Sequence, residues 1–375
     1  MTRLRLLVTL IAAAMAPRAP AADMFVYFGS HRSGPNIGFS LAHFDSATGL
    51  LTQPRFLLEA REPAFFVIHP DGRHLYACIS GEPGGVAAYA IDPLTGGLTF
   101  LNRELAGGGD TSFISLDRSG RFALAANYQG GNAAVFALRP DGGLGDWTAF
   151  VQHAGHSVDP VRQPRAFAHS VITDPTNRFA LVADLGLDRV YVYRFDARDG
   201  SLAPNDPAFA TVAPGSGPRH VRFHPNGRWV YVVNEMASTV TGFDWASATG
   251  ALTEFQTVST LPGGLTGPSA CAEMEVHPNG RFLFASNRGD DSLAVFGIDQ
   301  GTGRLSPVEH VPSGGRVPRN FALDPTGHWI VCSNQDSDNA VVFRIDLATG
   351  RLTPTGTPVT VPNPFCERFL PAPGH

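Results

Sequence analysis

The residues of this 375-residue chain best suited to chemistry recur at matching places in it. His169 follows Ala168, Arg219 and His220 follow Pro218, Glu273 follows Ala272, and Arg319 and Asn320 follow Pro318. Each stands where an apolar run begins. A second set closes such runs: Asp184, Glu235 after Asn234, and Arg288 after Asn287. Several guanidiniums converging with two or three carboxylates and two imidazoles fill space poorly. They are well suited to holding an anionic or oxygen-rich small molecule. Plainer roles compete with that one. Arg219 and Glu235, sixteen residues apart, can form an ion pair that stiffens the site. His169 can bond a backbone carbonyl and Asp184 a loop amide. The asparagines that end the runs read as Asx turns. His153 and His156, in a long connection, read as solvated.

Other chemistries are excluded. All 28 basic residues are arginine, so lysine Schiff bases, lysine general bases and Walker-type phosphate loops are absent. There is no Gly-x-Ser-x-Gly elbow. Cys78, Cys271, Cys332 and Cys366 are scattered without a Cys-x-x-Cys pair, and no three histidines have metal-ligand spacing, so no metal is expected. Each cysteine sits in or beside a strand-like run and reads as a buried free thiol. A net charge of −5 argues against a general nucleic-acid binder.

The elements that must position these residues come from internal repetition. A His-Pro-x-Gly-Arg turn appears at His69–Arg73, His224–Arg228 and His277–Arg281, with looser copies at Asp117–Arg121, Asp174–Arg178 and Asp324–His328. A second turn places glycine at 49, 96, 142, 200, 250, 303 and 350, with spacings of 47, 46, 58, 50, 53 and 47. Between the turns lie runs of five to seven residues rich in Val, Phe, Tyr and Ile, which read as strands. Seven units of about four strands each predict an all-β, seven-bladed β-propeller. The first unit starts at Met24 with what matches a second strand. The tail Pro364–Leu370 matches a first strand and should complete that blade, hiding the edges of an open array. With strands running from the channel outwards, the two repeated turns share one face. The candidate residues share the other, around the channel mouth.

The N-terminus has two arginines, an apolar run at Leu6–Ala16 and small residues at Ala19-Pro20-Ala21. This is the pattern of a cleaved signal peptide over 1–21, leaving the propeller over 22–375 in the periplasm or secreted. Loss of Arg3, Arg5 and Arg18 with no acid takes the charge from −5 to near −8. No other stretch is long and apolar enough for a membrane span, so no membrane association is expected after cleavage.

Asn127-Tyr128-Gln129-Gly130-Gly131, Asp184-Leu185-Gly186, Gly217-Pro218-Arg219-His220, Asn234-Glu235, Ser286-Asn287-Arg288-Gly289 and Pro318-Arg319-Asn320-Phe321 follow one another in an order that resembles the seven-bladed lactonase family. That family includes propeller-type bacterial 6-phosphogluconolactonases and fungal carboxy-muconate lactonizing enzymes. The resemblance covers about Met24 to Pro371. It implies a channel-mouth active site of one His, two Arg and one Glu, which fall on His169, Arg219, Glu235 and Arg288. His220, Glu273, Arg319, Asn320 and Asp184 then become substrate-binding candidates. Family members often carry a second His two residues before the first; here Phe167 stands there. The expected function is hydrolysis of a sugar-derived or other polar lactone by a monomer without a cofactor. His169 would activate water, and arginine would hold the oxyanion. A lactonizing cycloisomerase and a non-catalytic exported binding propeller are the alternatives.

Overall fold

A computed structural model describes residues 23–31, 37–263 and 268–373. The expected signal segment, 1–21, lies outside the described residues. Seven antiparallel sheets form the seven blades of a β-propeller. Six are four-stranded and run in chain order: Phe66–Leu105, Thr111–Gln152, Ala168–Thr211, Pro218–Ser259, Ala270–Pro312 and Pro318–Thr360. The remaining blade joins the two ends of the chain. Strand Pro364–Pro371 pairs with Asp23–Ser30, Met24 opposite Pro371 and Tyr27 opposite Arg368, and becomes that blade's innermost strand. The outer edge of this blade is split into Leu50–Leu51 and Arg55–Glu59. Helix is confined to two single 3-10 turns, Leu185–Leu187 and Gln335–Ser337, among the described residues. None is long and apolar enough to cross a membrane.

The repeated turns fasten one blade to the next. In the first turn the histidine ring reaches the neighbouring blade: Nε2 of His69, His224 and His277 lies 2.9, 2.8 and 2.7 Å from the carbonyls of Gly120, Gly280 and Gly327. Where aspartate replaces histidine, it caps its own turn, and Asp117 also receives the Asn177 side-chain amide of the next blade at 2.8 Å. Asp174 Oδ1 accepts the Arg178 and Phe179 amides. The second turn is held by a buried tyrosine, as Tyr27, Tyr76 and Tyr231 donate to the carbonyls of Gly96, Gly142 and Gly303. Gly303 has φ +71, and a Cβ there would meet the Trp229 ring at 2.5 Å, so this turn needs glycine twice over. Between the blades lie apolar layers with large side chains such as Trp229, Phe28 and Phe284. All four cysteines are free and buried.

A carboxyl of the closing strand is also buried here. Glu367, on the closing strand, is fully buried, and neither oxygen has a well-formed hydrogen bond. Burial pushes its pKa up to about 8, only partly offset by Ser333 and Arg368. The native state therefore keeps a proton that the unfolded chain releases near pH 4.3. The stability that this proton confers is complete below that pH and falls as pH rises through about 8. Glu367→Gln keeps the group neutral at every pH. Relative to wild type, the variant should gain stability between pH 5 and pH 9, by about 1.4 kcal/mol for each pH unit over which only the folded protein holds the proton. Urea melts of both proteins at the two pH values measure this. A constant difference would mean that Glu367 is ionised in the fold.

Candidate active site

The innermost strands enter from the channel mouth, and most begin with a β-bulge. Pro218 pairs with Asn234 and His220 with Val233, so Arg219 is an extra residue with no partner in the ladder. The same break leaves out His169 between Ala168 and Ser170, and Arg319 between Pro318 and Asn320. It also leaves out Ser112 between Thr111 and Phe113, and Phe365 between Pro364 and Cys366. A bulge re-aims a side chain out of strict alternation. These five residues line one cavity of about 240 Å³, whereas the break at Ala272 and Glu273 lies outside its wall.

Glu235 organises the cations there. Its Oε2 receives Arg219 Nε at 3.2 Å and an Arg288 amino group at 2.9 Å. Its Oε1 receives Arg162 at 2.6 Å. Burial would raise the Glu235 pKa, but Arg288 and Arg219 overcome it and hold the carboxylate far below its usual range. Glu235 is thus a fixed anion. Arg219 also donates to the Ala272 carbonyl at 2.6 Å, and Arg288 to that of Cys271 at 2.8 Å, so both guanidiniums are immobilised. Burial and the Arg288 charge bring Arg219 down to about 10, still charged at neutral pH.

Arg319 differs. Its guanidinium lies 3.9 Å over the Phe365 ring, and its Nε has no hydrogen-bond partner. Burial, then Arg288 and Arg219, push its pKa well down. A cation so placed is relieved by an anion. The wall carries Arg219, Arg288 and Arg319 against Glu235 and Asp110.

His169 is buried in this wall and its Nδ1 has no partner. Burial and the Arg219 charge hold its pKa well below the usual value. It is a neutral imidazole with a free nitrogen. His220 is also held neutral, by burial and by Arg219, but its Nδ1 is tied to Glu273 at 2.9 Å.

The structure brings His169, Arg219, His220, Glu235, Arg288, Arg319 and Asn320 to one cavity. Two expected substrate-binding residues are not at its wall. Glu273 lies beneath it, fully buried, and receives His220, Asn320 at 2.5 Å and Arg222 at 2.9 Å. Asp184 accepts the Phe167 amide at 2.8 Å and so braces the segment entering His169. His153 is not solvated as the sequence suggested. The long connection folds inward and seats it between Asp184 Oδ2 (2.6 Å) and the Tyr193 hydroxyl (2.9 Å), stacked on Tyr191. His156 is exposed. Asn127 and Asn287 do not form Asx turns. Their amides end buried strands and bridge to neighbours, Asn127 to Ala106 and Asn132, and Asn287 to Thr260.

The sequence reading overlooked Arg162, Asp110 and Phe365. A signal existed for Arg162. It lies in the unit with the longest spacing, 58 residues, and the excess is the connection that crosses to Glu235. That connection is anchored by Gln163 on the Leu185 carbonyl and Ser157 on Asp188. The cavity holds no three-ligand metal cluster among the described residues. The one grouping found, His69, Asp71 and His74, lies at a first turn on the other face. There the His69 ring is engaged with the Gly120 carbonyl and the Asp71 amide.

Residues 25–369 match the family described as lactonase, 7-bladed β-propeller. A 6-phosphogluconolactonase of Bacillus subtilis is 35% identical over 92% of this chain and 97% of its own. One from Formosa agariphila is 31% identical over 77% and 83%. Among solved structures, the periplasmic gluconolactonase of Pseudomonas aeruginosa superposes with a TM-score of 0.88. It is 30% identical and covers 94% of this chain and all of its own.

Proposed function

The chain belongs to the seven-bladed β-propeller lactonase family, and from that premise we propose that it hydrolyses an anionic, sugar-derived lactone of the 6-phosphogluconolactone type at the cavity around Glu235. The observation that carries this reading is Arg319, a half-buried guanidinium in no ion pair among the described residues and with its Nε unsatisfied, beside the neutral, unpartnered Nδ1 of His169. Water attacks the lactone carbonyl carbon while His169 takes its proton. The ring C–O bond then breaks, and the proton passes to the departing ring oxygen, giving the open hydroxy acid. Arg219 and Arg288, fixed by Glu235 and by carbonyls, face the oxygen where negative charge develops. Being preorganised, they need not rearrange as it does so. Arg319 takes the anionic group of the substrate. Glu235, held far below its usual range by arginines, orients them and is too weak a base to replace His169. The export pattern at 1–21 and a periplasmic relative support an action outside the cytoplasm.

A panel of gluconolactone and 6-phosphogluconolactone, assayed against the spontaneous rate at fixed pH, tests the substrate. The phosphorylated lactone should show the higher kcat/KM, by tenfold or more, and a preference for the neutral lactone would remove Arg319 from this role. The pH profile tests the base. Protonation disables His169, and its pKa lies well below 6.5, so kcat/KM should stay level from pH 7.5 to below pH 6 before falling. An acid limb centred on 6.5 would assign the base to a solvated group.

A further inference from the structure

The channel does not run open through the ring. Phe65 and Phe113 stack at 4.3 Å, and the His220 ring packs edge-on against both at 5.7 and 5.0 Å. These three rings plug it below the catalytic cavity. On the far side of the plug, at the face of the first turns, lies a second and larger cavity of about 450 Å³. Its walls come from the innermost strands of several blades and are chiefly apolar: Val67, Ile68, Phe113, Ile172 and Phe223. Three arginines line it. Arg118 is exposed and stands beside Asp117 at a first turn, and the two less exposed ones differ. Arg222 is neutralised by Glu273 and Glu275, both at 2.9 Å. Arg368 is in no ion pair among the described residues. Its hydrogen bonds go to neutral acceptors, the Asn320 side-chain oxygen at 3.2 Å and the Glu367 carbonyl at 2.6 Å, and its guanidinium lies 4.6 Å over the Phe65 ring.

We propose that this cavity is a second ligand site, distinct from the catalytic one, that takes an aromatic monocarboxylate: the ring against Phe113, Ile172 and Phe223, the carboxylate on Arg368. A concave apolar wall with one convergent cation is the usual build of a small-molecule site. Of the two less exposed guanidiniums, only Arg368 is left to meet a carboxylate, since Arg222 already has two. The product of lactone hydrolysis, an acid clothed in hydroxyls, is poorly matched to such walls. The proposal does not depend on the reaction assigned to the other cavity.

Benzoate, benzyl alcohol and gluconate serve as probes, with binding followed by isothermal titration and saturation-transfer NMR on the wild-type protein. Benzoate should bind at least tenfold more tightly than either of the others. Ile172→Trp, which fills the cavity from its wall and leaves the catalytic residues untouched, should abolish benzoate binding while lactone hydrolysis persists. Arg368→Gln should weaken benzoate at least tenfold. Binding that survives Ile172→Trp would place benzoate in the catalytic cavity and overturn the proposal. So would equal binding of benzyl alcohol, or no binding at 20-fold molar excess over millimolar protein. If a substituted protein fails to fold, intermolecular NOEs on the wild type locate the site: contacts of benzoate with the Ile172 methyl groups are expected, and contacts with Phe365 or Tyr128 instead would overturn the proposal.

Discussion

Removal of Pro364–His375 is expected to abolish the cooperative melting transition of the entire ring, not merely to fray one blade. The deleted strand supplies the innermost ladder of its blade, from Met24–Pro371 to Ser30–Pro364. It also buries Phe365, Cys366 and Leu370, with Phe369 packed against Phe44. At about 1.5–3 kcal/mol for each large apolar side chain, that loss rivals the ~5–15 kcal/mol that stabilises a typical domain. Differential scanning calorimetry of the truncated protein is the measurement. A transition at the wild-type temperature would mean that the ring does not depend on this closure.

His169→Ala should lower kcat by roughly 10²–10⁴, the usual contribution of a general base, while the melting temperature moves by only a few degrees. The second half of the expectation comes from the geometry. The ring borders an existing cavity, so truncation enlarges a space already there. The imidazole is also desolvated with a nitrogen unsatisfied, so its removal forfeits no hydrogen bond at Nδ1. Turnover and melting must be read on the same sample. Full turnover would make His169 structural. A loss of turnover that tracked unfolding would do the same and leave the catalytic reading without its base.

The ring was legible in the sequence because both turns repeat, and because the tail matched a strand missing at the start. The face holding the site followed from strand order alone. What escaped did so for tertiary reasons. Arg162 and His153 sit in a connection without a counterpart in the other units, so repetition could not place them. Asp184 and Glu273 were rightly singled out as unusual, yet both act one layer behind the cavity. That distinction depends on where neighbouring blades put Phe167, His220 and Asn320. The bulges were also hidden, because a bulge is a relation between two strands and leaves no mark in either one.

Those bulges separate what the ring needs from what the site does. Ser112, His169, Arg219, Arg319 and Phe365 fill no rung of a ladder. A replacement at any of them leaves the backbone pairing of its blade intact. Five blades therefore each present one position whose side chain can change without shifting the register of its strands, although Phe365 also supplies buried apolar surface. A laboratory library confined to Ser112, Arg319 and Phe365, which spares the base and the oxyanion arginines, should sample new specificities while leaving every ladder rung of the ring in place.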